Sequence, residues 1–199
     1  ISVKKALNHP NWRMGKKITV DSSTMMNKVF EIIEAKNIFE ISLKKLSILI
    51  HPKSYIHAII KFDDGMTKII AHDTTMEIPI FNSLYENNDK KFLSKKIDLK
   101  KLNNLNLTKV NLKKFPLVKL LKYIPEKISL FDTVIVSAND ELVRLYLNGK
   151  INYNDITIEL LKIVNHKEFT KFKKKIPNRI LDIINLDRYV RLKINSKGV

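Results

Sequence analysis

Apolar residues recur at helical spacing near the start of the chain. Between Thr24 and Ala35 they stand three or four positions apart, which is the spacing of one buried face of a helix. Three short polar residues, Asp21, Ser22 and Ser23, come directly before this segment, and such side chains favour the N-cap position. The pattern predicts an amphipathic helix that begins close to Ser22.

Strand patterns follow this helix. Residues 48–50 form a short apolar run, and two longer runs, 54–62 and 66–71, flank the sequence Asp63-Asp64-Gly65. An Asp-Gly pair between two apolar runs favours a tight reversal of the chain. The sequence therefore predicts a short strand and then a β-hairpin.

The second half of the chain differs in pattern from the first. Residues 86–114 are polar and rich in lysine, which is typical of a connector. Four later segments carry apolar residues on one helical face: 117–123, 132–147, 155–164 and 177–186. We therefore predict an α/β (α+β) fold class, with a part built of strands and helices followed by a small all-helical C-terminal domain. The predicted division is a first portion with a loop at 7–17, the helix and the hairpin (1–85), a connector (86–114) and the helical domain (115–199).

Composition narrows the possible classes of protein. The chain has 199 residues, 44% of them hydrophobic, and no cysteine, so disulfides and thiolate metal sites are excluded. No apolar run approaches the roughly 20 residues that cross a bilayer, and we expect a cytoplasmic protein with no membrane partner. Because the chain opens on Ile1 and enters a motif-rich segment at once, we expect it to be a piece of a longer protein.

The positive charge raises the question of nucleic acid. The formal net charge is +17, but only five of the 37 basic residues are arginine. Arginine is the residue that best reads phosphates and base edges, so this composition favours a lysine-rich solvated surface and no nucleic-acid partner. A lysine-rich, non-catalytic binding module that keeps an enzyme-like fold is the alternative.

Three residues of the predicted helix carry candidate chemistry. Asn27, Lys28 and Glu31 fall within about 100° of helical arc, so they can address one site. Lys28 can hold an anion beside Ser22 and the first-turn amides, and Glu31 suits a hard divalent ion such as Mg²⁺ or Mn²⁺. The same spacing is typical of a surface ion pair, and both interpretations stay open.

A long stretch resembles one enzyme family. Residues 9–28 read HPNWRMGKKITVDSSTMMNK, which is similar to the HPNW-x-MG-R/K-K-I-x-VDSATMMNKG region of 1-deoxy-D-xylulose 5-phosphate reductoisomerases. Residues 50–57 resemble the family's I-H-P-Q-S-x-I-H, residues 115–116 its aromatic-proline pair, and residues 137–140 its A-A-N-E.

The resemblance implies an activity and its cofactors. The family rearranges 1-deoxy-D-xylulose 5-phosphate and reduces it with NADPH to 2-C-methyl-D-erythritol 4-phosphate in the non-mevalonate route to isoprenoids. A divalent metal, Mg²⁺ or Mn²⁺, chelates the substrate. The partner is thus a small phosphosugar, and the full-length enzyme is expected to be a homodimer. By the same resemblance, the NADPH-binding domain and an Asp-Ser-Glu segment with two metal ligands lie upstream of Ile1.

The resemblance implies that residues 1–85 are a portion of the catalytic domain, and it implies roles for individual residues. His9, Trp12 and Met14 resemble the flap that closes over the substrate, with His9 as a substrate contact and His9, Trp12, Lys28 and Glu31 as the catalytic set. The expected phosphate ligands are Ser22, Asn27 and Lys28, and Glu31 is the expected metal ligand. The expected NADPH contacts are Met14, Gly15 and Met76.

The sequence departs from the family pattern at several positions. Val29 replaces a glycine, Lys53 a glutamine and Asp140 a glutamate, while Glu77 stands where arginine is common. His51 and His57 are expected to make hydrogen bonds in the core, and no histidine beyond His9 is expected to take part in catalysis.

Overall fold

The computed structural model describes residues 1–7, 14–85, 90–96 and 98–196, and these form two compact units. The first unit contains described residues 1–7, 14–48 and 111–196. The second contains described residues 49–85, 90–96 and 98–110. The fold class predicted from the sequence, mixed helix and strand with a helical C-terminal region, is confirmed.

Helices dominate the described residues. In chain order they are α1 (Val3–Ala6), α2 (Lys16–Ser23), α3 (Met26–Phe39), α4 (Glu77–Leu84), α5 (Leu99–Asn103), α6 (Leu130–Leu147), α7 (Tyr153–Asn165), α8 (Lys167–Thr170) and α9 (Ile180–Ser196). Short 3₁₀ helices cover Leu43–Lys45, Pro116–Lys122 and Lys171–Lys174. Among these described helices, none has both the length and the apolar content that crossing a membrane requires.

The core of the first unit is built around α6. Ser129 caps this helix, because its side chain accepts a hydrogen bond from the Phe131 amide at 3.3 Å. Apolar side chains on several of its faces are fully buried, and α6 packs against α2, α7 and α9. Val134, Ile135 and Leu142 have no exposed surface. A helix covered in this way is the scaffold on which the neighbouring helices are placed.

Helices that precede and follow the predicted connector in the sequence pack together in the first unit. The α3 helix packs against Pro116–Lys122, and α2 packs against α6. The boundaries between the compact units fall after residues 48 and 110. The predicted domain boundaries, after residues 85 and 114, lie elsewhere, and this division into domains stays a prediction.

The predicted helix start near Ser22 is wrong. Residues 16–23 and 26–39 form two helices, so Asp21, Ser22 and Ser23 belong to the last turn of α2. The break lies at Met25, which has a left-handed backbone with φ of 61°. Consequently the α3 helix has no side-chain N-cap hydrogen bond.

The second unit contains the predicted hairpin. Strands β2 (Ile56–Lys61) and β3 (Thr67–Ala71) pair antiparallel, and Gly65 in the turn has φ of 88°, a conformation that favours glycine. Strand β1 (Leu49–Ile50) pairs antiparallel with β4 (Thr108–Lys109). No described residue between 90 and 114 is buried, and the connector at 86–114 stays a prediction.

Candidate functional site

The candidate site lies at the elbow between α2 and α3. The Thr24 amide donates to the Val20 carbonyl at 3.1 Å, and the Met25 amide donates to the Ser22 carbonyl at 3.2 Å. The Thr24 hydroxyl accepts a hydrogen bond from the Met26 amide at 3.4 Å. These bonds satisfy backbone groups at the end of one helix and the start of the next.

Buried side chains hold the elbow on both sides. Val20 from α2 and Met26 and Val29 from α3 have no exposed surface. The left-handed conformation of Met25 costs an L-residue roughly 1–2 kcal/mol, and the surrounding packing offsets this cost. Val29, which replaces the family's glycine, is therefore a core residue of this chain.

The three predicted residues of α3 do come together. The Asn27 amide donates to Glu31 Oε1 at 2.7 Å, and Lys28 Nζ lies 2.8 Å from Glu31 Oε1 and 2.6 Å from Oε2. The side chains of Lys28 and Glu31 are 44% and 45% exposed. An exposed pair of this spacing stabilises a helix by only about 0.2–0.5 kcal/mol. The cluster therefore offers one cation, one carboxylate and one amide to a ligand at little cost in stability.

Ser22 is placed differently from the prediction. It is half-buried in the last turn of α2, so it does not lie at the positive end of the helix that carries Glu31. Its neighbour Ser23 donates to the Val20 carbonyl at 2.7 Å, which leaves the Tyr153 hydroxyl to donate to Ser23 Oγ at 2.8 Å. Burial raises the pKa of Tyr153, and the bond to Ser23 partly opposes this. The end of α2 is thus tied to α7.

The residues of this chain supply only part of a metal site. Among the residues that the structure describes, no group of three or more histidine, aspartate or glutamate side chains is close enough to hold a metal ion. Glu31 offers a single carboxylate, and a hard divalent ion held by one protein carboxylate needs further oxygen ligands. The cluster can therefore supply one ligand, the Glu31 carboxylate, to Mg²⁺ or Mn²⁺. The sequence contains no Asp-Ser-Glu segment.

The predicted flap and cofactor residues are divided between the described and undescribed parts of the chain. His9 and Trp12 lie outside the described residues. Met14 and Gly15 precede α2 in the first unit, where the Gly15 carbonyl accepts hydrogen bonds from the Thr19 amide and hydroxyl. Met76 precedes α4 in the second unit and is 56% exposed. Their predicted contacts with NADPH stay a prediction.

The sequence did not predict a polar network behind the elbow, in which Asp21 and Asn139 are buried and the charged residues around them are partly exposed. The Asn139 amide on α6 donates to Asp21 Oδ1 at 2.8 Å, while Lys17 Nζ lies 2.9 Å from Asp21 Oδ2 and 2.7 Å from Asp140 Oδ1. Arg191 on α9 reaches Asp140 Oδ2 at 3.2 Å. The available signal was the resemblance of residues 137–140 to the A-A-N-E motif, to which no role was assigned.

Burial shapes the protonation of this network. Desolvation raises the pKa of Asp21, and hydrogen bonds from Asn139 and Lys17 oppose part of that rise. Desolvation lowers the pKa of Lys17, but its hydrogen bonds to Asp140 and Asp21 outweigh this and raise the pKa overall. Asp21 thus holds its proton more tightly than an ordinary aspartate, and the neighbouring Lys17 holds its proton more tightly than an ordinary lysine.

The histidines of the second unit make hydrogen bonds, as expected, but they are not in the core. His51 Nδ1 accepts from the Tyr55 and Ile56 amides at 2.9 and 3.2 Å, and burial together with the charge of Lys53 lowers the pKa of His51. His57 is exposed, stacks on His72 with ring centroids 3.6 Å apart, and bonds to the His72 carbonyl at 3.1 Å.

Two family models match the chain. A model described as the 1-deoxy-D-xylulose 5-phosphate reductoisomerase C-terminal domain matches residues 1–39. A second, described as the DXP reductoisomerase C-terminal domain, matches residues 73–193 and so covers more than half of the chain. The first match includes the elbow and its cluster, and the second includes α6 and most of α9.

Curated relatives carry the same enzyme name as these two family models. The 1-deoxy-D-xylulose 5-phosphate reductoisomerase of Pelagibacter ubique is 61% identical over all 199 residues, which correspond to 51% of that protein. The one from Aquifex aeolicus is 34% identical over 98% of this chain and 50% of its own length. The chain therefore spans about half the length of the curated relatives it matches.

Solved structures agree with the sequence matches. A DOX-P reductoisomerase crystallised with NADPH, fosmidomycin and magnesium superposes with a TM-score of 0.87 at 30% identity, over 100% of this chain and 50% of that one. The Zymomonas mobilis enzyme in complex with NADPH gives a TM-score of 0.82 at 27% identity, again over 100% and 50%. The chain belongs to the 1-deoxy-D-xylulose 5-phosphate reductoisomerase family.

Proposed function

We propose that this chain forms the C-terminal half of an enzyme that converts 1-deoxy-D-xylulose 5-phosphate to 2-C-methyl-D-erythritol 4-phosphate with NADPH and a divalent metal. The observation that carries the proposal is the cluster of Asn27, Lys28 and Glu31 at the start of α3. It lies within the stretch of sequence that most closely resembles the family. It also places a cation and a carboxylate side by side on an exposed surface, as a metal-dependent phosphosugar enzyme requires.

Lys28 and Asn27 are proposed to bind the substrate's phosphate. Both lie in the first turn of α3, where the helix dipole favours an anion. Lys28 would exchange its contact with Glu31 for a charge-assisted bond to the phosphate dianion. Ser22 would add a hydroxyl donor from the end of α2, so that the phosphate is held by residues from both arms of the elbow.

Glu31 is proposed to supply one metal ligand. Its two oxygens are at present shared with Asn27 and Lys28, and both partners are released when the phosphate binds them. Mg²⁺ or Mn²⁺ bound there would polarise the oxygens of the substrate. The remaining carboxylate ligands would come from the Asp-Ser-Glu segment that the family resemblance places upstream.

The flap and the cofactor contacts complete the proposal. His9, Trp12 and Met14 would close over the substrate and exclude water, with His9 contacting it. Met14, Gly15 and Met76 would contact NADPH. The solved relative that binds NADPH, fosmidomycin and magnesium together supports this combination of ligands. In the cell we expect a cytoplasmic homodimer.

A chimeric enzyme tests the proposal directly. This chain would replace the corresponding half of the Pelagibacter ubique enzyme, with which it shares 61% identity. We expect NADPH consumption that requires both 1-deoxy-D-xylulose 5-phosphate and Mg²⁺ or Mn²⁺. A chimera that is folded and dimeric but inactive would contradict the proposed function.

A further inference from the structure

The residues behind the elbow form a contact that the proposed function does not use. Asp21 and Asn139 are 118 positions apart, yet the Asn139 amide meets Asp21 Oδ1 at 2.8 Å. Asn139 has no exposed surface and Asp21 is 1% exposed. A buried carboxylate without a donor is costly, so this contact strongly favours one arrangement of α2 against α6.

The same contact lies one residue from the proposed phosphate site. Asp21 precedes Ser22 in the last turn of α2, and the Asp21 carbonyl accepts a hydrogen bond from the Thr24 hydroxyl at 3.1 Å. Thr24 in turn leads into the left-handed Met25 and the first turn of α3. A shift of Asp21 would therefore move Ser22 relative to Asn27 and Lys28.

We propose that Asn139 is a positioning residue, which, through Asp21, fixes the elbow so that Ser22 and Lys28 converge on the substrate's phosphate. This inference rests on the proposed function, because it assigns a task to the phosphate site itself. Asn139 does not touch the substrate; it acts through Asp21.

Charged residues also contact the second carboxylate oxygen of Asp21 and the neighbouring Asp140. Lys17 bridges Asp21 and Asp140, and Arg191 on α9 reaches Asp140. Asp21 is therefore held at both carboxylate oxygens, by α6 on one side and by Lys17 within its own helix on the other. With both oxygens occupied, the side chain has a single defined orientation.

The test uses the active chimera described above and inorganic phosphate as a competitive inhibitor. Asn139→Leu keeps much of the side-chain volume but removes the amide donor. We expect it to raise KM for the phosphosugar and Ki for inorganic phosphate about tenfold, with a smaller change in kcat. The reciprocal exchange Asp21→Asn with Asn139→Asp restores an amide-carboxylate pair and should return Ki toward the wild-type value.

Lys36→Met is the matched control for loss of stability. Lys36 is 3% exposed and pairs with Asp132 Oδ2 at 3.1 Å, near the opposite end of α3. It lies about 12 Å along the helix from Lys28. We expect Lys36→Met to lower the melting temperature and to leave Ki for inorganic phosphate unchanged.

The outcomes separate this inference from the proposed function. If Lys28→Gln raises Ki for inorganic phosphate while Asn139→Leu leaves it unchanged, the positioning role is overturned and the phosphate site stands. If Lys28→Gln leaves Ki unchanged, the phosphate site itself fails. Should Asn139→Leu yield no folded enzyme, Asn139→Ala removes the same donor at a lower steric cost, and an unchanged Ki there overturns the positioning role.

Discussion

Replacing Lys28 by glutamine in the active chimera isolates the phosphate contact of the proposed site. Glutamine keeps a polar side chain of similar reach and a high helix propensity, but it removes the positive charge. Because Lys28 is 44% exposed and its contact with Glu31 lies on the surface, the fold does not depend on it. The effect on activity can therefore be interpreted as a loss of binding.

The structure sets the expected size of the loss. A hydrogen bond to a charged group contributes about 1.5–3 kcal/mol. Lys28 must give up its exposed contact with Glu31, which stabilises the helix by about 0.2–0.5 kcal/mol. The difference, about 1–2.8 kcal/mol, corresponds to a fall in kcat/KM of about 5- to 100-fold. The melting temperature should hardly change, because only the small surface contribution is lost.

Lys162 provides a matched control for this experiment. Its Nζ lies 2.6 Å from Glu159 Oε1 on α7, in a pair that is also spaced three residues apart and whose lysine is 66% and glutamate 22% exposed. Lys162→Gln removes the same charge from the same kind of pair, and kcat/KM should stay near that of the parent enzyme. Equal kcat/KM for Lys28→Gln and Lys162→Gln would refute the phosphate assignment and leave Lys28 as a surface partner of Glu31.

Three further outcomes follow from the structure. Glu31→Gln in the chimera should raise the Mg²⁺ concentration for half-maximal activity and lower kcat, and an unchanged metal requirement would remove Glu31 from the metal site. The 199-residue chain alone should show no NADPH consumption with the phosphosugar, since the proposed metal site takes only Glu31 from it and no group of three or more His, Asp or Glu among its described residues could hold a metal ion. Hydrogen bonding to Arg144 lowers the pKa of Glu141 from 4.5, so its contribution to stability is present above about pH 4.5 and lost as pH falls through the lowered pKa. Urea midpoints should therefore fall less on acidification in Glu141→Gln.

Local patterns predicted much of the fold. The hairpin followed from Asp64-Gly65 between two apolar runs, because a reversal with positive φ depends on residues that lie within the turn. The long helices of the C-terminal region followed from their apolar spacing, although α9 begins at Ile180 rather than near Pro177 and continues to Ser196. Element boundaries depend on capping and tertiary contacts, which periodicity does not contain.

Local sequence patterns did not predict the break between α2 and α3. Helix breaks are usually marked by glycine or proline, but here the left-handed position is Met25, and neither glycine nor proline occurs between residues 16 and 39. Val20 and Met26 are fully buried on either side of the break. The sequence therefore predicted that Asn27, Lys28 and Glu31 lie together on one helix, but it placed Ser22 on the wrong helix.

The contact between Asp21 and Asn139 shows what a single sequence lacks. Asp21 in the D-S-S segment and Asn139 in the S-A-N-D segment each lie in a stretch that resembles a family motif, yet nothing local indicates that they meet. Only the packing of α2 on α6 brings them together. Asp140, one methylene shorter than the family's glutamate, still reaches both Lys17 and Arg191. Residues of the two motifs are thus in direct contact. Asp140, where the chain departs from the family pattern, lies among the charged residues behind the elbow and not among the residues proposed to touch the substrate.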